Sequence, residues 1–311
     1  MEKHIERARI SRKHYQDEAL RDFDPDVAVM SVDMQKVIML PRLEGVKTCV
    51  FTRRLVVFHE TFAPLGSKSK ERPVVSALWH EALSGRNAED LASAYVKVIR
   101  SDHLRDIKNV VFYVDNCGAQ NKNWTLFTAL ISLVNSAGGP QTVTLRYLEK
   151  GHTFMSADSY HASVESAMRK MKNVYDFSDF VSAVERYGAK VIKMTTGMWQ
   201  SCMSMAKFTK KPSLSDVLQE VQFRKGSTQL YWKVSMNDAD YEAGEFLKKR
   251  EAAKILSGIQ LYQSLQTPRG ITDKKKNDLV KNLCPLMPDS RHRFWSSLAV
   301  NDDSTDLIDC Q

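Results

Sequence analysis

Five apolar residues, Val110-Val111-Phe112-Tyr113-Val114, run straight into Asp115. The polar, glycine-bearing stretch Asn116-Cys117-Gly118-Ala119-Gln120-Asn121-Lys122-Asn123 then opens a helical pattern at Trp124. A short continuous apolar run of this kind reads as a buried, parallel strand. Asp115 then stands where the strand leaves the sheet, and ligands of open α/β sheets collect outside the carboxyl ends of strands. An ionised carboxylate there is costly unless it is compensated, and a metal ion does so. The same residues suit a plainer task, since Asp115 and Asn116 can cap the helix beginning near Trp124 or shape the turn. The stretch by itself leaves the two readings level.

Upstream, Val27 to Gln35 is β-branched and apolar with one acid, Asp33, near its end, and Lys36 to Leu40 continue it toward Pro41. That pattern predicts a central strand. Further strands are expected over 46–50 and 55–58, with an extended piece over 73–79. The turns between them suit an antiparallel meander. From Asn87 the period changes: Leu91, Ala94, Tyr95, Val98 and Ile99 recur at helical spacing, with Asn87 as N-cap and Glu89-Asp90 in the first turn. Leu126, Phe127, Leu130, Ile131 and Val134 mark a second amphipathic helix, stopped by Gly138-Gly139-Pro140. A strand over 143–148, a loop over 151–157 and a helix from about Asp158 follow.

This order predicts an α/β fold: a mixed five-stranded sheet, three antiparallel strands then two parallel ones, with helices on both faces. Strands 27–35 and 110–114 can lie side by side and parallel, which brings Asp33 and Asp115 together. Beyond residue 175 the pattern thins. A helix is expected over 177–184, a strand over 189–194, a short helix over 213–221, a strand over 229–234 and a capped helix over 272–283. The domain reading is a polar helical linker over 1–25, a catalytic-type domain over 26–195, an α-rich basic C-terminal extension over 196–300 and an acidic mobile tail over 301–311.

The 311 residues carry a formal charge of +8, a balance that leans toward a polyanion partner. Lys122 and the basic residues Lys210, Lys211, Arg224, Lys225, Lys248, Lys249 and Arg250 are candidates to hold nucleic acid. Those of the C-terminal part are interleaved with Phe223, Tyr231 and Trp232, a mixture that suits nucleic acid but that solvated helix faces also produce. No apolar run approaches the length of a membrane span, and residues 1–7 have no signal core, so a nuclear or cytoplasmic setting is the default. Five scattered cysteines without a CxxC pair argue against a disulfide framework and a zinc ribbon.

A third segment, Gly151 to Glu165, places His152, Asp158, His161 and Glu165 across a loop-to-helix junction, and on the helix Asp158, His161 and Glu165 share one face. A capped surface helix explains these residues as well. Asp33, Asp115 and Asp158 each follow an apolar strand or its exit loop, however, and the expected topology lets them meet. Hard oxygen ligands in that grouping suit Mg²⁺ or Mn²⁺ rather than zinc. Two such ions roughly 3.5–4 Å apart serve phosphodiester cleavage.

Val32-Asp33-Met34-Gln35, Asp115 through Asn123, and Gly151-His152-Thr153 through Asp158 together resemble the three signature blocks of a transposon-associated domain family. That family is widespread in animal genomes and catalogued as a domain of unknown function. It is similar in turn to the ribonuclease-H-like catalytic domains of DDE-type transposases and integrases. Thr52 to Phe58 and Lys274 through Phe294 are also similar to family segments, so the resemblance spans about Asp26 to Leu298.

The resemblance implies a ribonuclease-H-like fold, with Asp33, Asp115 and Asp158 as a catalytic and metal-binding triad for Mg²⁺ or Mn²⁺. It implies a transposase-derived polynucleotidyl transferase or nuclease acting on DNA by a two-metal mechanism, and it is compatible with a homo-oligomer. Glu89 could supply a fourth acid or merely complement the helix dipole, and Glu165 rivals Asp158 as the last acid. His152 could orient Asp158, bind phosphate or cap its loop. Gln35, Asn116 and Gln120 could position phosphates or satisfy buried polar groups. Ala119 departs from the glycine common in relatives, which removes no ligand. Residues 1–24 show no zinc-ligand spacing, so no separate DNA-recognition module is legible. The alternative is a catalytically inactive, domesticated nucleic-acid-binding or scaffold protein of the same fold.

Overall fold

The computed structural model describes residues 2–118, 120–149, 151–201, 209, 218–259, 261, 263–305 and 307. Helix α1 (Glu2–Ala19) leads into strand β1 (Val27–Met34), the short strands β2 (Ile38–Leu40) and β3 (Arg42–Leu43), and one helical turn, α2 (Thr48–Phe51). Strands β4 (Leu55–Pro64) and β5 (Val75–His80) follow, then helix α3 (Ala88–Ile99) and strand β6 (Asn109–Asp115). Next come α4 (Trp124–Val134), β7 (Thr142–Leu148), α5 (Ser156–Met171), β8 (Asn173–Val174), α6 (Phe177–Glu185) and β9 (Lys190–Lys193). The last part holds β10 (Gln200–Ser201), β11 (Glu220–Arg224), β12 (Gln229–Lys233), β13 (Glu242–Glu245), α7 (Lys249–Leu256), β14 (Gln263–Ser264), α8 (Asp273–Asn282) and α9 (Asp289–Ser296).

Ten strands share one mixed sheet in the order β13-β12-β11-β7-β6-β1-β4-β5-β9, with β2 also on β4. At its centre β4 runs antiparallel to both of its neighbours, β1 and β5, and β6 and β7 continue parallel to β1. The three-antiparallel, two-parallel arrangement is therefore present, but the expected five strands are half of the sheet. Part of the C-terminal region expected to be α-rich supplies three antiparallel strands, β11–β13, that widen this same sheet beyond β7. The strand expected over 46–50 is instead the turn α2, and the strand expected over 55–58 runs on to Pro64. The reason lies in His59-Glu60-Thr61: three polar residues that read as an exit from the strand are in fact buried within it.

Alternation along the strands sorts the two faces. Ala28, Met30 and Val32 of β1 and Val110, Phe112 and Val114 of β6 face α3 and α4, packing on Leu91, Tyr95, Leu130 and Ile131. Asn87 caps α3 in a reciprocal box with Asp90, and Asn123 caps α4. Gly139 ends the α4 turn at a point where a side chain would strike the Leu133 carbonyl, 2.1 Å away. The opposite face carries Val29 and Tyr113 under α1, and Val57 and Leu78 under α5 and α6. Helix α1 is docked there through the buried Ala8 and Tyr15. No helix among the described residues is long and apolar enough to cross a membrane.

Candidate metal centre

Asp33 and Asp115 lie on the α1/α5 face because each is an even number of residues from a neighbour that points there: Val29 and Ser31 on β1, Tyr113 on β6. β1 and β6 are paired in parallel with Ser31 opposite Tyr113, so two residues further on Asp33 and Asp115 come level at the same sheet end. Helix α5 brings the third acid. Its Ala157 N–H donates to the buried Ser31 hydroxyl at 3.1 Å, which sets the first turn of α5 over β1. Asp158 accepts the Met155 N–H at 2.7 Å as part of the cap, and Asp115 accepts the Cys117 N–H at 3.3 Å as part of its turn. Capping and convergence are thus properties of the same acids. Ligand atoms of Asp33, Asp158 and His161 all lie within 4.8 Å of one another.

The electrostatics fit a site that wants a cation. Burial, and then the charges of Asp158 and Asp115, push the Asp33 carboxyl up from 3.8 to about 7 against a helping backbone hydrogen bond at Met34. A carboxylate surrounded in this way ionises readily only if a positive charge joins it. Asp115 is oriented by Asn121, whose amide donates to it at 2.6 Å and in turn receives the Tyr95 hydroxyl at 2.9 Å. On the other face of the sheet, Glu60 is 2% exposed with one carboxyl oxygen, Oε2, lacking a hydrogen-bond partner. Burial, Asp33 and Asp115 raise its carboxyl well above the usual range.

His161 adjoins the acids from α5. Its Nδ1 is 3.7 Å from Asp33 Oδ2, and its Nε2 is 2.9 Å from the Thr61 hydroxyl. Thr61 Oγ1 also lies 2.8 Å from His59 Nε2, and His59 Nδ1 lies 2.7 Å from Gln35 Oε1. Burial lowers the His161 imidazole from 6.5 to about 4. Burial and then the neighbouring His161 lower His59 well below its ordinary value. Both rings are neutral at neutral pH.

The remaining candidates divide. Gln35 belongs to this buried chain, its side-chain oxygen on His59. Glu165 pairs with Arg42 at 2.9 Å, two turns along α5 from Asp158. Glu89 sits in the first turn of α3, its N–H donated to Asn87; Glu60 is the further acid coupled to Asp33 and Asp115. His152 is exposed and packs on the His4 ring at 5.9 Å between centroids. Asn116 accepts from Lys122 Nζ, which also donates to the Leu218 carbonyl. The Gln120 carbonyl receives the Asn123 amide at 3.0 Å. Arg224 stacks on Tyr231 at 3.8 Å, and Lys225 donates to the Gly139 carbonyl. Arg224 is level with Thr142 at the start of β7, whereas Leu148 at its end is level with Asp115. That separation is about 20 Å at the usual rise of a strand. Lys248, Lys249 and Arg250 follow β13 where it leaves the sheet at the same far end. Lys210, Lys211 and Ala119 lie outside the described residues.

His59, Glu60 and Thr61 escaped the sequence reading. The available signal was the polar run His59-Glu60-Thr61 inside an apolar strand bounded by Phe58 and Phe62.

Residues 91–238 match a family model described as a domain of unknown function, DUF7869. The matched segment carries Asp115, Asp158 and His161, and Asp33 and Glu60 lie before it. No curated protein matches the chain. Among solved structures, it is similar to a chain from the cryo-EM structure of the simian T-cell lymphotropic virus intasome in complex with PP2A regulatory subunit B56 gamma. The identity is 12% and the TM-score 0.32, over 74% of this chain and 83% of that one. A likeness so distant supports nothing about activity.

Proposed function

We propose that this chain is a transposase-derived, metal-dependent nuclease or polynucleotidyl transferase acting on DNA, with a ribonuclease-H-like core over residues 26–195. The observation that carries the reading is the convergence of Asp33 and Asp158 beside His161 at one end of the sheet, with Asp115 outside that group but near enough for its charge to act on Asp33. The order β5-β4-β1-β6-β7, antiparallel then parallel, supports the fold assignment. The donor set fits a divalent cation, because acceptors converge there and burial, with the charges of Asp158 and Asp115, disfavours the ionised Asp33 carboxylate.

Asp33, Asp115 and Asp158 would hold the Mg²⁺ or Mn²⁺. β6 flanks β1 on one side, and β4, against which His161 leans, flanks it on the other. Such ions would supply charge neutralisation at a phosphate and a water activated near neutral pH. The chain's own part is positioning: Asn121 fixes the Asp115 carboxylate, and the Ser31 contact fixes the turn that bears Asp158.

The test is nicking of supercoiled DNA with Mg²⁺ or Mn²⁺ by wild type, Asp33→Asn and Asp115→Asn. Metal-dependent nicking that falls to background in both variants is expected. Nicking that survives either substitution sinks the proposal. DNA binding with no nicking under any divalent ion points to the domesticated, non-catalytic protein instead.

A further inference from the structure

We infer that His161 is a nitrogen ligand of this centre, its lone pair aimed at the acids by a buried relay from Gln35, so that the site selects Mn²⁺ and softer divalent ions over Mg²⁺. The inference rests on the metal-centre reading above and adds a donor that three aspartates do not require. It starts from the polarity of the hydrogen bonds. Gln35, His59 and Thr61 are 5%, 1% and 0% exposed, and His161 is 9% exposed, so each proton in the chain must be placed among these groups rather than given to solvent.

The Gln35 carbonyl oxygen can only accept, so the His59 Nδ1 that faces it at 2.7 Å carries the proton. With its one ring proton on Nδ1, His59 accepts at Nε2. Two hydroxyls reach that nitrogen, Thr61 at 2.8 Å and Ser76 at 2.9 Å. Were Ser76 to serve His59, Thr61 could donate to His161 and the assignment would reverse; with the Thr61 hydroxyl donating to His59, Thr61 Oγ1 accepts from His161, and Nε2 of His161 holds its proton. Nδ1 is left with a bare lone pair directed at Asp33 and Asp158.

The opposite polarity, with the Gln35 amide donating, would protonate Nδ1 toward Asp33. At 3.7 Å that N–H would make no hydrogen bond and would be held only by the charge of Asp33. A lone pair facing two acids is unfavourable by itself and favourable once a cation lies among them. Metal-bound histidines are held in the same way, the second ring nitrogen donating to a fixed acceptor. Imidazole nitrogen suits transition metals, whereas Mg²⁺ keeps to oxygen and water.

The first arm needs no variant. Nitrogen-edited NMR of the metal-free wild type reads the tautomer, and the proton is expected on Nε2 of His161. Pulsed EPR of bound Mn²⁺ is expected to show coupling to an imidazole nitrogen. In calorimetry with each metal alone, His161→Ala and Thr61→Val lower Mn²⁺ affinity by about 10–100-fold and leave Mg²⁺ affinity little changed. A proton on Nδ1, Mn²⁺ bound without nitrogen coupling, or equal losses for both ions overturns the inference while leaving a carboxylate-held metal intact. Wild type that binds neither ion overturns it together with the function beneath it.

Discussion

Asp33 is the residue on which the state of the centre turns. Its carboxyl titrates near 7 in the folded chain and at 3.8 when unperturbed, so the metal-free folded protein keeps a proton that the unfolded chain releases. Stability from this group is complete below pH 4 and is lost as pH rises toward and through 7. Its whole contribution is up to roughly 4 kcal/mol, at about 1.4 kcal/mol for each unit of difference. The buried His59 and His161 act in the other direction, costing stability as pH falls below 6.5, and the comparison with Asp33→Asn separates the two. In chelator, urea unfolding should show Asp33→Asn more stable than wild type at pH 8 and equal to it at pH 4. Mn²⁺ should reverse the order at pH 8, because only wild type gains the ion. An advantage for the Asp33→Asn variant that is the same at both pH values would mean the acid is not held protonated by its neighbours. Asp33 was legible because one acid ends an otherwise apolar strand. His161 was legible only as a neighbour of Asp158 on one helix face and Thr61 not at all, since their contact depends on the register of β1 with β4 and on where α5 crosses it.

Among the elements, α1 departs most from what its composition suggests. Its apolar residues follow no helical stripe, which is why it reads as a linker. It is held instead largely by polar groups. Tyr113 donates to Glu18 at 2.8 Å, Arg146 joins Glu18 at 2.6 Å, and Arg7 pairs with Glu149 at 2.8 Å. Arg12 donates to the Phe154 carbonyl, and the Tyr15 hydroxyl accepts the Ser156 N–H at 2.8 Å. Helix α1 therefore clamps the loop that delivers Asp158. Tyr15→Phe keeps the ring packing and removes the hydroxyl, so it should cost about 1 kcal/mol of stability. Hydrogen exchange at Ser156 to Asp158 should quicken, and metal affinity should fall several-fold without change in the rest of the sheet. Unaltered exchange over those amides would show that the Ser31 contact alone sets the α5 turn. Helix α5 also shows the limit of spacing arguments: Asp158, His161 and Glu165 share a face, but Arg42 of β3 takes Glu165 and leaves Asp158 as the last acid at the sheet end.

Over the whole molecule, the central strands followed from apolar runs and turn chemistry, and the sheet's growth beyond β7 did not. β11 pairs with β7 across more than seventy residues, and no local pattern announces a partner that distant. The C-terminal helices are tied back by a different device. Lys275 of α8 meets Glu81, just after β5, at 2.8 Å, with side chains 2% and 1% exposed. The same Glu81 oxygen also accepts the Val56 N–H of β4 at 2.7 Å. Removing one member of a buried pair strands the other charge, at a cost of about 3–5 kcal/mol. Lys275→Met should therefore lower the urea midpoint of the entire chain in one transition. The double variant Glu81→Gln with Lys275→Met should recover part of the loss, because the orphaned charge is gone. A loss below about 1 kcal/mol, or an early separate transition of the segment that bears α8 and α9, would show the two helices to be an appendage. A single deep loss would show that the end of the chain closes the core on whose edge Asp33 and Asp158 converge.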